Sequence, residues 1–483
     1  MSYYLGIDCG GTFIKASLFD KNLNMYSCVR ENVAVLSEKE GYAERDMVSL
    51  WESCANVIKQ VINTSQIDST KIKGVGLSAQ GKGAFLLDKH NQPLGRAILS
   101  SDQRALDIVK QWQKEGIPQQ LYPITRQTLW TGHPVSILRW IKENEPKRYH
   151  QIGSLLMSHD YLRFCLTDQL YCEETNISES NLYNMNTGTY DPELAQLLGI
   201  PEIINALPPI IASNQQAGTV TEKASQQTGL AVGTPVVGGL FDVVSTALCA
   251  NLNDETTLNV VLGTWSVVSG ITSHIDNSQS SPFVYGRYAD HQSFIVHEAS
   301  PTSAGNLEWF TQQWSNLSYE DINAGIATLA PASSSVLFIP FLYGSNTGLG
   351  MKAGFYGIQS YHTQFHLLQS IYEGVLFSLM HHLEKMLQRF PNVTVLRVTG
   401  GPTKSDIWMQ MLADLTGITL EIPQIEETGC LGAAVMAMQQ GSCLKSIVSE
   451  LKIVRPNLDN LDAYQQKYQQ YKKLVKKLQD LNK

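Results

Sequence analysis

The chain has 483 residues, 43% of them hydrophobic and 17% charged, a globular composition at a length that argues for two or more domains. The net charge of −8 is mixed in sign, and the only basic runs, Lys472-Lys473 and Lys476-Lys477, read as the solvated face of an amphipathic helix, which argues against nucleic acid and anionic membrane as partners. Eight cysteines without zinc spacing or a C-x-x-C pair, no charged-then-apolar leader and no apolar run of ~18 residues point to a reduced cytoplasm.

Strands are expected at 3–8, 13–19, 24–30 and 73–78, with a helix from Met47 to Asn63 that permits a parallel crossover. Between the first two strands lies Asp8-Cys-Gly-Gly-Thr12. Its glycines can take φ > 0 and carry no Cβ, so backbone N–H groups can approach an anion. A carboxylate beside that turn would repel a bare phosphate and makes sense with a divalent cation between them. The alternative is a hairpin whose glycines serve turn geometry alone.

After the fourth strand come Gln80-Gly-Lys-Gly83 and then Ser101-Asp-Gln-Arg104, polar groups at strand ends able to hydrogen-bond a polyol or to stand as surface residues. Gln103 to Ile152 is helical in pattern, and Asp160 reads by default as a helix cap. A buried strand, Val236-Val-Gly-Gly, leads to Asp242 at a helix start. Asp242 is open to two readings, an N-cap or a general base kept ionised by the helix N-terminus.

The second half begins near 240–255 and repeats the theme, with strands at 257–262 and 265–272 around Leu262-Gly-Thr264, and another at 293–297. A long helix (Gln364 to Leu387), a strand ending in Thr399-Gly-Gly-Pro402, a helix from Ser405 and a strand (Ile418 to Ile422) follow. Gly400-Gly401 suits either a ligand lying on backbone or plain chain reversal, and Gly432 to Ala434 suggests close helix packing. Two strand–turn–strand units with Gly and Thr suggest related halves closing on one phosphate chain.

Asp8-x-Gly-Gly-Thr12, Ser101-Asp-x-Arg104, Asp160-Tyr-Leu, Gly238-Gly-x-x-Asp242, Leu262-Gly-Thr264, Gly400-Gly-Pro, Glu427 and Gly432-Ala-Ala together resemble the FGGY carbohydrate kinases, in order and spacing, to about residue 460. Ala79-Gln-Gly-Lys-Gly-Ala-Phe, Gln127-Thr-Leu-Trp-Thr-Gly-His-Pro and Phe341-Leu-Tyr-Gly-Ser-Asn are similar to the subgroup that phosphorylates L-xylulose. D-xylulose kinases typically carry Gln-Met-His-Gly, and glycerol kinases an Arg-Glu pair, where this chain has Gln80-Gly-Lys-Gly83.

The resemblance implies an α/β fold of two actin-like ATPase (ribonuclease-H-like) domains with an interdomain cleft. Residues 1–245 would carry the sugar site and the first phosphate turn, and 246–483 the nucleotide site. It implies ATP and Mg2+ as cofactors, transfer to the 5-hydroxyl of a ketopentose, most of all L-xylulose, and a homodimer as a common assembly. By position, Asp242 matches the catalytic base and touches the sugar, and Asp8 faces the metal. Gly11, Thr12, Gly263 and Thr264 line the phosphates, and Gly400, Gly401 and Lys404 hold the adenosine. Gln80, Lys82 and Asp102 bind the sugar, with Thr131, His133 and Glu179 as further contacts. The competing readings are a kinase for another ketose or polyol, a switch-type ATPase without sugar transfer, and a sugar-binding regulator without turnover. Asp242 and the polar strand ends favour a small-molecule acceptor.

Overall fold

The computed structural model describes residues 2–263, 265–276, 283–344, 351–443, 445, 447 and 450–481. Two compact units form. The first comprises Met1–Cys249, Thr272–Ile295 and Ile425–Ile447, and the second Ala250–Ile271, Val296–Gln424 and Val448–Lys483.

The first unit is built on β1 (Tyr3–Cys9), β2 (Phe13–Asp20), β3 (Met25–Asn32), β4 (Ile72–Ala79), β5 (Gln216–Thr219) and β6 (Pro235–Val237), in the spatial order β5-β6-β4-β1-β2-β3. β1 and β2 form an antiparallel hairpin, and β1 lies parallel to β4 with Asp8 opposite Ser78. The crossover between them is the helix Met47–Ser65, begun by Asp46, whose carboxylate accepts the Ser49 N–H at 2.8 Å, and ended at Gln66 in the left-handed region. Leu50, Trp51, Cys54, Val57, Ile58 and Val61 recur at helical spacing and are buried.

The helix Thr428–Met438 lies against β1 and β4 with almost nothing between the backbones. A Cβ on Gly6 would sit 1.8 Å from the Cys430 carbonyl oxygen, and one on Gly76 1.9 Å from that of Ala433. A Cβ on Gly432 would sit 2.1 Å from Ser245 Oγ, so close packing is what the small residues of this helix serve. The stretch read as helical from Gln103 to Ile152 resolves into Leu106–Lys114, Ile117–Thr125, Pro134–Asn144 and Pro146–His150. Left-handed Gly116 and Arg126 and the prolines at helix starts make the breaks.

The second unit repeats the plan with β7 (Thr257–Leu262), β8 (Ser266–Thr272), β9 (Phe294–Ser300), β10 (Val395–Thr399), β11 (Thr419–Pro423) and β12 (Leu451–Val454), ordered β9-β8-β7-β10-β11-β12. β7 and β8 are an antiparallel hairpin and β7 is parallel to β10, as β1 is to β2 and β4. Each hairpin has a bond from a glycine N–H at its turn, Gly10 N to Phe13 O at 2.9 Å, three residues on, and Gly263 N to Trp265 O at 3.0 Å, two residues on. Helices Gly305–Trp314 and Tyr319–Ala327 fill a stretch where periodicity marks no element.

Candidate functional site

In the first unit the Gly10–Thr12 turn puts neither glycine in the left-handed region, so positive φ is not what these positions need. Nor does crowding require them, since a Cβ on Gly10 or Gly11 would meet nothing nearer than 3.6 Å. Neither turn geometry nor packing requires the pair, and the backbone there is open to approach. Among the described residues no protein acceptor takes the N–H of Gly11 or Thr12, and both residues are exposed.

Asp8 is the last residue but one of β1, beside this turn. Burial raises its pKa to about 6, against the pull of Lys15, and the Glu427 charge adds to the rise. Lys15 Nζ is paired to Glu427 Oε2 at 2.6 Å. Asp8 Oδ1 is enclosed and has no hydrogen-bond partner. Asp242 opens the helix Asp242–Cys249. Burial first, then the Asp8 charge, lift its pKa to about 7, while the Val243 N–H and Lys82 pull the other way. The helix start therefore does favour the carboxylate, but burial and a like charge outweigh it. The expectation of a carboxylate held firmly ionised is corrected to one poised near neutrality. Each side chain keeps partial solvent access. Among the described residues no cluster of three or more His, Cys, Asp or Glu is arranged to hold a metal.

The Gln80–Gly83 segment packs around this pair. Gln80 N donates to Cys9 O at 3.0 Å, and Gln80 Oε1 lies 3.7 Å from where a Gly11 Cβ would be. Lys82 takes φ 64°, its N–H donates to Asn176 Oδ1 at 3.0 Å, and its Nζ pairs with buried Glu179 at 2.7 Å. Gly83 N donates to Gly132 O at 2.9 Å, which brings Thr131 and His133 alongside. His133 Nδ1 accepts from Trp130 N at 3.0 Å and faces the Asn181 amide at 3.3 Å. Its pKa falls to about 3, through burial and then the Lys82 charge, so the ring is neutral with its proton on Nε2. That Nε2 and Thr131 Oγ1 are buried without partners. Orphaned buried donors beside a polar wall are what a hydroxylated ligand would satisfy. Asp102 is fully buried, and its carboxylate already accepts from Ala43 N (2.7 Å) and from Arg104 N, Nε and Nη2 (2.9 Å each).

In the second unit a cavity of about 870 Å³ is lined by Gly263, Gly401 and Lys404 with aromatic Trp265, Tyr319, Tyr343, Tyr372 and Trp408. Gly400 is required by the fold, with φ 107° and a would-be Cβ 2.1 Å from Leu262 O, whereas a Cβ on Gly401 would meet nothing within 4 Å. Of the two glycines, then, only Gly401 is free to serve a ligand. Thr264 lies outside the described residues. Asn323 Oδ1 accepts from Tyr372 OH (2.9 Å) and Ser405 Oγ (2.7 Å), which leaves its amide N–H groups for a ligand. The volume and the aromatic lining suit a nucleoside. Sequence reasoning missed the aromatic lining and Asn323: Trp265, Tyr343 and Trp408 lie in or beside segments it singled out for other reasons, and these residues meet Tyr319, Asn323 and Tyr372 only through the fold.

Among the described residues no helix is long and apolar enough to cross a membrane. Residues 3–249 match the N-terminal domain of the FGGY family of carbohydrate kinases, and residues 258–440 its C-terminal domain. The chain is 70% identical to the probable L-xylulose kinase of Pasteurella multocida (strain Pm70), over 98% of this chain and 99% of that one. It is 55% identical to the L-xylulose/3-keto-L-gulonate kinase of Escherichia coli (strain K12), over 99% and 97%. The fold matches the crystal structure of ligand-bound xylulose kinase from Lactobacillus acidophilus, with a TM-score of 0.92 at 21% identity, over 99% of this chain and 98% of that one. With both domains matched and relatives this similar over their whole length, the chain belongs to the FGGY family of carbohydrate kinases, enzymes that draw on ATP to phosphorylate sugars.

Proposed function

We propose that the chain transfers the γ-phosphoryl group of ATP to the 5-hydroxyl of L-xylulose, giving L-xylulose 5-phosphate, with Asp242 as the general base. The observation that carries this reading is Asp242, a carboxylate of pKa about 7 at a helix start, beside a polar wall with unmet hydrogen-bonding capacity. A base poised near neutrality serves proton abstraction well at physiological pH. The sugar hydroxyl oxygen attacks the γ-phosphorus, its proton passes to Asp242, and the bond to the β-phosphate oxygen breaks to release ADP. The L-xylulose assignment draws on the names of the relatives at 70% and 55% identity.

In this reading Gln80, Lys82, Thr131, His133 and Glu179 hold the acceptor, and Asp102 stiffens the wall by gripping Arg104. The backbone at Gly11 and Thr12 and the Gly263-Thr264 turn hold phosphates, and Gly401 and Lys404 hold adenosine in the aromatic cavity, with Gly400 making the turn that presents them. The orphaned oxygen of Asp8 and the Asp8 charge felt by Asp242 fit a hydrated Mg2+. A Mg2+ commonly binds one or two carboxylates and completes its shell with water and phosphate oxygens. When bound, the ion supplies charge neutralisation for the phosphates. All eight cysteines are free thiols, which supports a reducing cytoplasm, and a homodimer is the assembly the family suggests.

The test is ADP release with Mg-ATP against L-xylulose, D-xylulose, L-ribulose, D-ribulose, L-fuculose, L-rhamnulose, glycerol and 3-keto-L-gulonate. A clear preference for L-xylulose is expected. Preference for another acceptor would overturn the sugar and keep the kinase, and hydrolysis indifferent to sugar would overturn transfer itself.

A further inference from the structure

Arg45 is a buried cation outside the set that sequence motifs single out. It is only 2% exposed, and among the described residues no carboxylate pairs with it. It sits on the two-residue strand Glu44–Arg45, which pairs with Ala97–Ile98 and runs directly into Asp46, the cap of the helix Met47–Ser65. Alternation along the strand sends Glu44 to one face, where it meets Arg104 at 2.7 Å, and Arg45 to the other. On that other face lies the Gly10–Thr12 turn. Arg45 Nη1 donates to Gly10 O at 3.2 Å and Nη2 to Gly11 O at 2.5 Å, with Cys9 Sγ 3.8 Å from Nη1. Its Nε has no partner, and burial lowers its pKa below the ordinary arginine value.

Burying an unpaired guanidinium is costly unless something offsets it. Nothing in the packing of the strand calls for a charge there. What the guanidinium does hold is a turn whose Gly11 and Thr12 N–H groups take no protein acceptor among the described residues. Two carbonyls of consecutive peptides drawn inward by one planar fork leave the N–H groups that follow them, those of Gly11 and Thr12, on the opposite side.

We propose that Arg45 is a positioning residue for phosphoryl transfer: its fork fixes the Gly10 and Gly11 carbonyls from beneath, and its uncompensated charge lies behind the phosphate subsite. An anion on the exposed side then meets oriented peptide dipoles backed by a full positive charge in a medium of low dielectric. The proposal rests on the reading of Gly10–Thr12 as a phosphate turn.

The experiment compares Arg45→Gln and Arg45→Lys with wild type in full-length enzyme, reading kcat and KM for Mg-ATP, KM for the sugar, and melting temperature. Losing the charge should cut kcat/KM for ATP by ~10²-fold, the scale of a lost transition-state donor, while sugar KM stays within about twofold. Lysine keeps the charge but not the fork, and should recover about tenfold of that loss. A lower melting temperature with wild-type ATP kinetics would overturn the proposal, as would an equal rise in the KM values for ATP and sugar. If Arg45→Gln does not fold, Arg45→Lys decides, because wild-type ATP kinetics in that variant excludes the fork. Gly11→Val separates the two readings by filling the exposed side of the turn. Full ATP use by Gly11→Val removes the phosphate turn itself, whereas an impaired Gly11→Val beside a normal Arg45→Gln removes Arg45 alone.

Discussion

At the scale of single residues, the proposed chemistry turns on two buried carboxylates of raised pKa. Asp242 has a pKa near 7 and Asp8 near 6, both above the ordinary aspartate value because protein surrounds them and each feels a neighbouring acid. A base must be ionised to accept a proton, so kcat/KM should fall about tenfold per pH unit below 7 and level off above it. Asp242→Asn should cut transfer by ~10² or more while ATP binding, followed by calorimetry, stays near wild type. Near-normal turnover in that variant would remove Asp242 as the base. The same shift has a stability side. An acid whose pKa is raised on folding is neutral in both states at low pH, and the folded state loses stability as pH climbs from about 4 through 7. Asp242→Asn should therefore melt higher than wild type at pH 8 without ligands, and the advantage should vanish by pH 4. An equal difference at both pH values would show that repulsion is not the cause.

At the scale of elements, what holds the Asp8 end of the first unit is a helix seated directly on a sheet. The helix Thr428–Met438 reaches β1 and β4 because Gly6 and Gly76 leave no side chain between backbones. Its first turn also confines Asp8, since a Cβ on Gly429 would lie 2.3 Å from the Asp8 carboxyl carbon. Gly76→Val should thus cost about 3 kcal/mol, at the upper end of overpacking penalties, read as a fall in the denaturation midpoint. Its residual folded fraction should also show a displaced Asp8 and weaker Mg-ATP use. Wild-type stability would mean that the helix can shift outward at no cost. The hairpin turns teach the complementary lesson. Gly400 is dictated by its own backbone, whereas Gly10, Gly11 and Gly401 are not, and it is the unforced glycines that point to ligands.

At the scale of the whole molecule, two units repeat one strand plan with different equipment. The first carries the acids, the polar wall and the open Gly10–Thr12 turn, and the second an aromatic cavity of about 870 Å³ beside Gly263. A kinase of this kind must keep water from replacing the sugar hydroxyl. Hydrolysis of Mg-ATP without sugar should accordingly run at least ~10²-fold below sugar-dependent transfer. Comparable rates with and without sugar would restore the switch-type ATPase.

The sequence by itself determined the strands, the crossover helices, the two Gly-Thr turns and the family, because these are local matters. Alternating apolar residues set strands, helical spacing sets helices, and Asp8, Asp242 and the glycines carry their chemistry within a few residues of chain. Only the tertiary structure decided which glycines are forced, and that depends on the neighbours brought up from far along the chain. Only it showed that Asp242 is raised rather than held ionised, since that balance comes from burial and from Asp8, more than 200 positions away. It likewise assembled Trp265, Tyr319, Asn323, Tyr372 and Trp408 into one cavity, and placed Arg45 beneath a turn that precedes it by over thirty residues. Electrostatics and burial are sums over three-dimensional neighbours, and no window of sequence contains those neighbours.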